Sequence, residues 1–241
     1  MKRFLLLAII FTCLLSACAD QIIEPKKIEV SPTLEVDLEY VIEGDDVHIQ
    51  DDKVTLKDMV IEGDLYIDES VGDGEFRLEN VEVTGTIYVN GGGENSGYFI
   101  NARGKDLIIS SETNPYLVLS MNSSLEGISV ATDCGITTDS EGIEHVKINN
   151  SKTQEAVNVL LTGNYPDVSI ESTANVMIDG TVSLMTVLKE AEMTSIDMVD
   201  TSKVYFYSCN GQSVTVLGGI IVEAWINAEC CSLPENVENK K

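Results

Sequence analysis

An internal repeat of 22 residues constrains the fold of this chain more than any other feature of its sequence. Residues 54–75, "VTLKDMVIEGDLYIDESVGDGE", align with residues 76–97, "FRLENVEVTGTIYVNGGGENSG", so that Leu56 falls on Leu78. Periods of about 20 to 50 residues are typical of stacked units that bury their apolar faces only against one another. The repeat therefore predicts a solenoid, and the next unit is expected to place Tyr98 against Phe76.

Short triplets of the form apolar-x-apolar indicate that the repeating unit is made of β-strands. Residues 65–67 read "LYI" and residues 87–89 read "IYV", and glycines separate such triplets along the chain. Alternation with a period of two marks a strand with one buried face. Three such strands per unit predict an all-β parallel β-helix with coils of about 22 residues, each strand lying roughly 4.8 Å from its counterpart in the next coil.

Two observations leave alternatives open. A β-sandwich would also use alternating strands, but it would need hairpins and would make the 22-residue register accidental. Residues 153–161, "TQEAVNVLL", and 183–198, "SLMTVLKEAEMTSIDM", have a helix-like composition. Their apolar spacing also fits strand triplets, and we favour strands with a polar turn at 189–192.

The N-terminus has the features of an export signal. Lys2 and Arg3 precede an apolar run at residues 4–15, which is too short to span a bilayer. The sequence "LSAC" at residues 15–18 resembles the lipobox of bacterial lipoproteins, which implies cleavage after residue 17 and lipidation of Cys18. An ordinary signal peptide with a chance cysteine is the alternative. Acyl chains contribute about 0.8 kcal/mol per buried methylene, so several chains would hold the protein on a membrane.

The charge balance excludes some partners. The chain has 15 basic and 40 acidic side chains, and loss of Lys2 and Arg3 with the signal would change the formal charge from −25 to −27. Such a surface repels nucleic acid and anionic lipid. The composition therefore indicates an acidic extracytoplasmic protein without a nucleic-acid partner.

Several segments resemble a known family. They are "VTLKDMVIEGDLYID", "GEFRLENVEVTGTIYVNGGGENSG", "GTVSLMTV" and "GGIIVEAWINA". These resemble the β-helical repeat segments of bacterial cell-surface proteins, and the resemblance implies a right-handed, pectin-lyase-like β-helix. No S-layer-homology module is visible, so the lipid would replace it as the anchor. The expected organisation is a signal at 1–17, a lipidated spacer at 18–42, a β-helix at 43–228 and a tail at 229–241.

The pectin-lyase-like fold also hosts polysaccharide lyases and glycoside hydrolases, so catalysis is a hypothesis to test. The His-Gly element of the pectin hydrolases of this fold is missing from the sequence. Arg77 lies between Glu75 and Glu79 and is expected to form surface ion pairs. His48 and His145 are far apart in sequence and should both point outward, so the sequence suggests no nucleophilic triad.

Metal binding has only weak support. Asp45, Asp46, Asp51 and Asp52 could supply oxygen ligands for calcium. Solvated acids in turns are the preferred interpretation, and no other cofactor is expected.

Tyr66 and Tyr88 are the candidate surface binding residues. Each is the central residue of a triplet, so both should face outward one coil apart. Stacked outward aromatic rings can bind a sugar or a protein partner, or they can stabilise neighbouring strands. We favour the stabilising role.

The cysteines predict one cross-link. Cys231 follows Cys209 by the full predicted period, and Cys230 falls just one position short of it. Stacked positions suit the Cα separation of a disulfide. We therefore expect Cys209 to pair with Cys230 or Cys231, which would leave Cys134 as a buried free thiol.

The glycine-rich stretch "VNGGGENSG" at residues 89–97 suggests a ligand loop at first sight. A phosphate cradle would need a helix N-terminus or a basic group beside it, and the sequence predicts neither. We interpret the stretch as the corner of a coil, because the preceding coil has a similar corner at residues 68–74.

These features together predict a lipid-anchored bacterial surface protein. Its β-helix would be a non-catalytic scaffold for adhesion or spacing, or for binding a cell-wall glycan or a surface protein. The alternative is a polysaccharide lyase or glycoside hydrolase of the pectin-lyase-like fold.

Overall fold

The computed structural model describes residues 28–30, 40–94, 96–150, 155–227, 231–235 and 237–240. Their strands form one continuous sheet in which every pairing is parallel. The sheet winds as a β-solenoid of about nine turns of roughly 20 residues, which confirms the predicted parallel β-helix. Side chains on the inner face of each turn stack on those of the next turn, and the core therefore runs along the solenoid axis.

The described residues contain eighteen strands and one short 3-10 turn at Glu69–Val71. The strands are β1 (Ile28–Val30), β2 (Tyr40–Glu43), β3 (Val47–Ile49), β4 (Val54–Glu62), β5 (Leu65–Ile67), β6 (Phe76–Val89), β7 (Gly97–Ile100), β8 (Arg103–Ile109), β9 (Tyr116–Ser120), β10 (Ser124–Val130), β11 (Cys134–Thr138), β12 (Gly142–Ile148), β13 (Val157–Ile170), β14 (Ala174–Val187), β15 (Ser195–Cys209), β16 (Val214–Ile226), β17 (Cys231–Ser232) and β18 (Val237–Lys240).

The triplets identified in the sequence alternate between core and surface as expected. In β5, Leu65 and Ile67 are fully buried, while Tyr66 between them is partly exposed. Burial of one such aliphatic side chain contributes about 1.5–3 kcal/mol, and dozens of these side chains line the axis. The ambiguous segment 183–198 follows the same rule, because β14 ends at Val187 and a turn leads to β15. The strand interpretation of that segment is therefore confirmed.

The register confirms the 22-residue period for one turn and then departs from it. Leu56 pairs with Leu78 between β4 and β6, as predicted. In the next turn Tyr98 pairs with Arg77, whereas Phe76 pairs with Gly97. The predicted placement of Tyr98 against Phe76 is therefore wrong by one residue. The physical reason is space in the core, because a Cβ on Gly97 would lie 2.7 Å from the Phe76 ring.

The glycine-rich stretch at residues 89–97 forms a corner of the solenoid, as the sequence predicts. Gly92 donates its N–H to the carbonyl of Gly72 in the coil below, at 2.7 Å. A Cβ on Gly91 would lie 2.4 Å from the carbonyl oxygen of Asp68, and one on Gly93 would lie 2.6 Å from that of Asp73. Glycine is present here because successive corners touch through their backbones.

The sheet extends beyond the limits of 43 and 228 that the sequence predicts. Strand β1, within the expected spacer, pairs with β3, and β17 and β18, within the expected tail, pair with β16. The signal segment and Cys18 lie outside the described residues, so their predicted roles stay predictions. Within the described part of the chain, no helix has the length and apolar character needed to cross a membrane.

Candidate functional site

The predicted pair Tyr66 and Tyr88 belongs to a longer stack that also includes His48, and we call these three residues the aromatic ladder. Tyr66 lies between the other two rings, with centroids 4.6 Å away on each side and interplanar angles of 7° and 6°. Both faces of the Tyr66 ring are thus covered by its neighbours. The ladder presents mainly ring edges to solvent, which favours the stabilising role over sugar stacking.

Carboxylates fix the ladder from its sides. His48 Nδ1 lies 2.9 Å from Asp68 Oδ1, and the Tyr66 hydroxyl donates to Asp64 Oδ2 at 3.3 Å. Burial of the phenol, reinforced by the negative charge of Asp64, raises the pKa of Tyr66 to about 12. The phenol therefore remains a neutral hydrogen-bond donor at physiological pH.

Two of the four carboxylates considered for calcium accept backbone hydrogen bonds. Asp46 Oδ1 accepts the N–H of Asp64 at 3.0 Å, and Asp52 Oδ1 accepts the N–H of Glu75 at 2.7 Å. The second of these bonds lowers the pKa of Asp52. Each bond joins one coil to the next, so these acids satisfy backbone donors at corners. Within the described ranges, which include Asp45 and Asp51, no three His, Cys, Asp or Glu side chains are grouped around a common ion position.

Arg77 occupies the position that the sequence predicts for it. Its guanidinium lies 3.5 Å from Glu75 and 3.7 Å from Glu79, and it stacks over the Tyr98 ring at 4.6 Å from the centroid. These contacts confirm that Arg77 is a surface ion-pair residue that links two coils.

The cysteines at the C-terminal end lie together, although not in the predicted register. Cys209 pairs with Ile226 and Cys231 pairs with Val214, so the coil here is shorter than the predicted period. The two side chains nevertheless interact, because a hydrogen bond from Cys231 lowers the pKa of Cys209. Both carry thiols in this structure, and Cys230 lies outside the described residues. The disulfide therefore stays a prediction.

Cys134 is buried, as expected, and carries a thiol in this structure. Burial raises the pKa of this thiol to about 12, and the nearby charge of Asp133 acts in the same direction. Since the thiolate is the reactive form, Cys134 is chemically inert in the folded protein.

A shallow groove on the outer face is a more open surface than the aromatic ladder. It has a volume of about 530 Å³, and we call it the amide groove. Its floor contains the outward side chains of Tyr116, Leu160 and Met177. The Tyr116 ring lies flat over the next coil, where a Cβ on Gly135 would lie 2.3 Å from the ring. The glycine therefore leaves room for an aromatic wall at one end of the groove.

Amide and carboxylate groups form one side of the amide groove. Asn175 donates its side-chain N–H to Asn158 Oδ1 at 3.0 Å, and Asn158 in turn donates to Asp133 Oδ2 at 2.7 Å. These hydrogen bonds fix three polar side chains beside an apolar floor. Binding sites for neutral polar ligands combine an apolar surface with a few fixed polar groups in this way.

A third arrangement was missed by the sequence reasoning. His145 Nδ1 lies 2.8 Å from Asp167 Oδ2, and Ser169 Oγ lies 3.2 Å from His145 Nε2. We call these three residues the His145 network. A Ser-His-Asp arrangement needs only one histidine. The distance in sequence between His48 and His145 was therefore no reason to expect that such an arrangement is absent. The coil period carried the signal, since Asp167 follows His145 by 22 residues and Val146 pairs with Val168.

Comparisons of the chain with protein-family models, with curated proteins and with solved structures found no match.

Proposed function

We propose that this protein is a lipid-anchored bacterial surface protein, in which a rigid β-solenoid displays its acidic outer face for binding a cell-wall glycan or a surface protein. The observation that carries the proposal is the amide groove, where an apolar floor and fixed amides lie on a stiff parallel sheet. The anchor part of the proposal rests on the lipobox-like sequence that ends at Cys18.

The geometry supports a scaffold because neighbouring coils hold their outward side chains in fixed positions. Backbone pairing links each turn to the next, and the side-chain hydrogen bonds and ring stacks described above join the outward residues themselves. Binding to such a preorganised surface costs little conformational entropy. A neutral glycan suits the groove better than an anionic polymer, because the formal charge of the chain is −25.

Fractionation of bacteria that express the full chain tests the anchor. We expect the wild-type protein in the membrane fraction, with residue 18 as its first residue and acyl chains on that residue by mass spectrometry. The Cys18→Ala variant should acquire no acyl chains and should keep the segment 1–17, because both processing steps depend on the lipobox cysteine. Wild-type protein that is soluble, or that keeps the segment 1–17, would contradict the proposal.

Sedimentation with insoluble peptidoglycan tests the binding surface. Met177 is 48 % exposed on the floor of the amide groove, whereas Met193 is 70 % exposed at a corner outside it. Met177→Glu adds a charge to the apolar floor and should weaken binding at least about tenfold, which corresponds to about 1.4 kcal/mol. The matched variant Met193→Glu should bind like the wild type. Equal binding by both variants would exclude the groove as the glycan site.

A further inference from the structure

The His145 network joins three side chains from two neighbouring strands of the outer face. His145 belongs to β12, and Asp167 and Ser169 belong to β13, where the two strands pair in parallel. Outward positions on a strand alternate, so Asp167 and Ser169 point to the same side and flank the imidazole. The His145 and Asp167 side chains are 36 % and 39 % exposed, which leaves the network accessible to a dissolved substrate.

The hydrogen bonds fix the imidazole tautomer. The ionised carboxylate of Asp167 can only accept, so the hydrogen bond of 2.8 Å places the imidazole proton on Nδ1. In the neutral imidazole, Nε2 then has a free lone pair, and the Ser169 hydroxyl, 3.2 Å away, can donate to it. In an activated serine nucleophile, the hydroxyl donates to one nitrogen of an imidazole, and a carboxylate orients the imidazole through its other nitrogen. The three side chains here have this arrangement.

We propose that Ser169, His145 and Asp167 form a nucleophilic triad that hydrolyses neutral carboxylic esters with an apolar acyl group. Ser169 is the nucleophile and His145 the general base and acid, and Asp167 orients the imidazole. This activity goes beyond the scaffold role and does not depend on the anchor or on the amide groove.

The surroundings of the triad indicate the class of ester. In the register of the next two coils, Asp167 pairs with Leu184, and Leu184 pairs with Phe206. These two apolar side chains are 40 % and 53 % exposed, so together they offer a surface for an acyl chain immediately beside the triad. The strongly acidic chain repels anionic esters, which leaves neutral esters as the preferred substrates.

A cation also lies close to the nucleophile. Lys147 pairs with Ser169 across the strands, and its ammonium group lies 2.9 Å from Glu171 Oε2. An oxyanion develops when the serine attacks a carbonyl, and a neighbouring positive charge stabilises it. In this structure the Lys147 charge is paired with Glu171, so it stabilises the oxyanion only by exchanging that partner.

The reaction balances with the ester and water alone. Ser169 Oγ attacks the carbonyl carbon while its proton passes to His145 Nε2. The bond between the carbonyl carbon and the alcohol oxygen then breaks, and the alcohol leaves with the proton from the imidazole. Water attacks the acyl-serine after losing its proton to Nε2, and collapse of the second intermediate releases the carboxylic acid and returns the proton to Ser169.

Covalent labelling of the purified protein with an alkyl fluorophosphonate tests the proposal. We expect one phosphonate adduct, at Ser169 by peptide mapping, and no adduct at that position in Ser169→Ala. His145→Gln and Asp167→Asn should each slow the labelling about 100-fold, since general-base assistance contributes about 10²–10⁴ in rate. Ser129 lies in the same outward row, on the other side of Lys147, and Ser129→Ala should label like the wild type.

Thermal unfolding of every variant checks that the solenoid remains folded, which is expected because these side chains lie on the surface. Hydrolysis of p-nitrophenyl butyrate provides the second measurement. Phe206→Ala should raise KM severalfold with little change in kcat, because Phe206 contacts the acyl chain but not the reacting atoms. Failure of the folded wild type to label, or labelling that is unchanged in His145→Gln, would show that the network is only a structural hydrogen-bond line.

Discussion

The aromatic ladder makes a quantitative prediction, because its central and terminal tyrosines have different numbers of ring contacts. Tyr66 stacks on two rings, whereas Tyr88 stacks on one. An aromatic pair contributes about 0.5–1.5 kcal/mol beyond the area it buries. Tyr66→Ala should therefore lower the free energy of unfolding by about 1–3 kcal/mol, and Tyr88→Ala by about half as much.

Tyr205 provides the matched control. It is an outward tyrosine near the other end of the solenoid, 43 % exposed, with Lys203 at 5.5 Å from its ring centroid. An exposed cation–π contact contributes about 0.5–1 kcal/mol at most, so Tyr205→Ala should be the mildest of the three substitutions.

Urea denaturation of the Cys18→Ala chain, followed by circular dichroism, measures these differences. The double variant Tyr66→Ala with Tyr88→Ala should be less destabilised than the sum of the single variants, by about 0.5–1.5 kcal/mol, because the two residues share one ring contact. Equal losses for Tyr66→Ala and Tyr205→Ala would refute the argument that the stack holds adjacent coils together.

The corners, the core and the cysteines make four further predictions. Gly180→Ala should destabilise the solenoid by more than Gly44→Ala in thermal unfolding. The new Cβ at residue 180 would lie 1.9 Å from the Gly163 carbonyl oxygen, whereas a Cβ at residue 44, at φ +69°, would have no atom within 4 Å. Alkaline pH should destabilise the fold, because the folded-state pKa values of Cys134 and Tyr66 are raised to about 12 from 9.0 and 10.0. The stability that these neutral groups contribute is complete below pH 9 and is lost as the pH rises to about 12. Tyrosinate absorbance should therefore increase together with unfolding. Peptide mapping without reductant should find Cys209 linked to Cys230 or Cys231 and Cys134 free; an unpaired Cys209 in the exported protein would contradict the pairing. Calorimetry with calcium should give no heat and no shift of the unfolding temperature, since Asp46 and Asp52 already accept backbone hydrogen bonds; a saturating signal that Asp52→Asn removes would reverse this expectation.

The fold was predictable because period-two alternation and the 22-residue repeat are two independent consequences of one geometry. Alternation fixes which side chains face the axis, and the repeat fixes which of them stack, as the pairing of Leu56 with Leu78 shows. The register beyond the second turn was not predictable, because it depends on volume in the core. Phe76 needs the space that Gly97 leaves, and this need shifts the next turn by one residue.

Coil length varies for a similar reason. In the later turns, long strands such as β13 and β14 pass a corner without a separate loop, because Gly163 and Gly180 stack there at φ +115° and +152°. The offset between these strands is shorter than the predicted period, since Val157 pairs with Ala174. A corner without a loop has no glycine-rich stretch that would mark it in the sequence. The predicted register of the cysteines was wrong because it assumed a constant coil period.

The candidate sites were less predictable than the fold, because they depend on which outward side chains become neighbours across coils. Tyr66 and Tyr88 were found because they lie within the repeat that defined the period. The line from Asp167 through His145 to Ser169 was missed because the two histidines were compared only with each other, although the 22-residue period places Asp167 beside His145.

The intact mass of the protein extracted from the bacterial membrane fraction tests the central functional claim most directly. A solenoid that displays a binding surface on the cell must be attached to it, and Cys18 is the predicted attachment. We predict a mature chain whose first residue is Cys18, because the signal at 1–17 would be removed, with the added mass of the acyl chains on that residue. A mature chain without acyl mass on Cys18, or one that keeps the segment 1–17, would contradict this prediction.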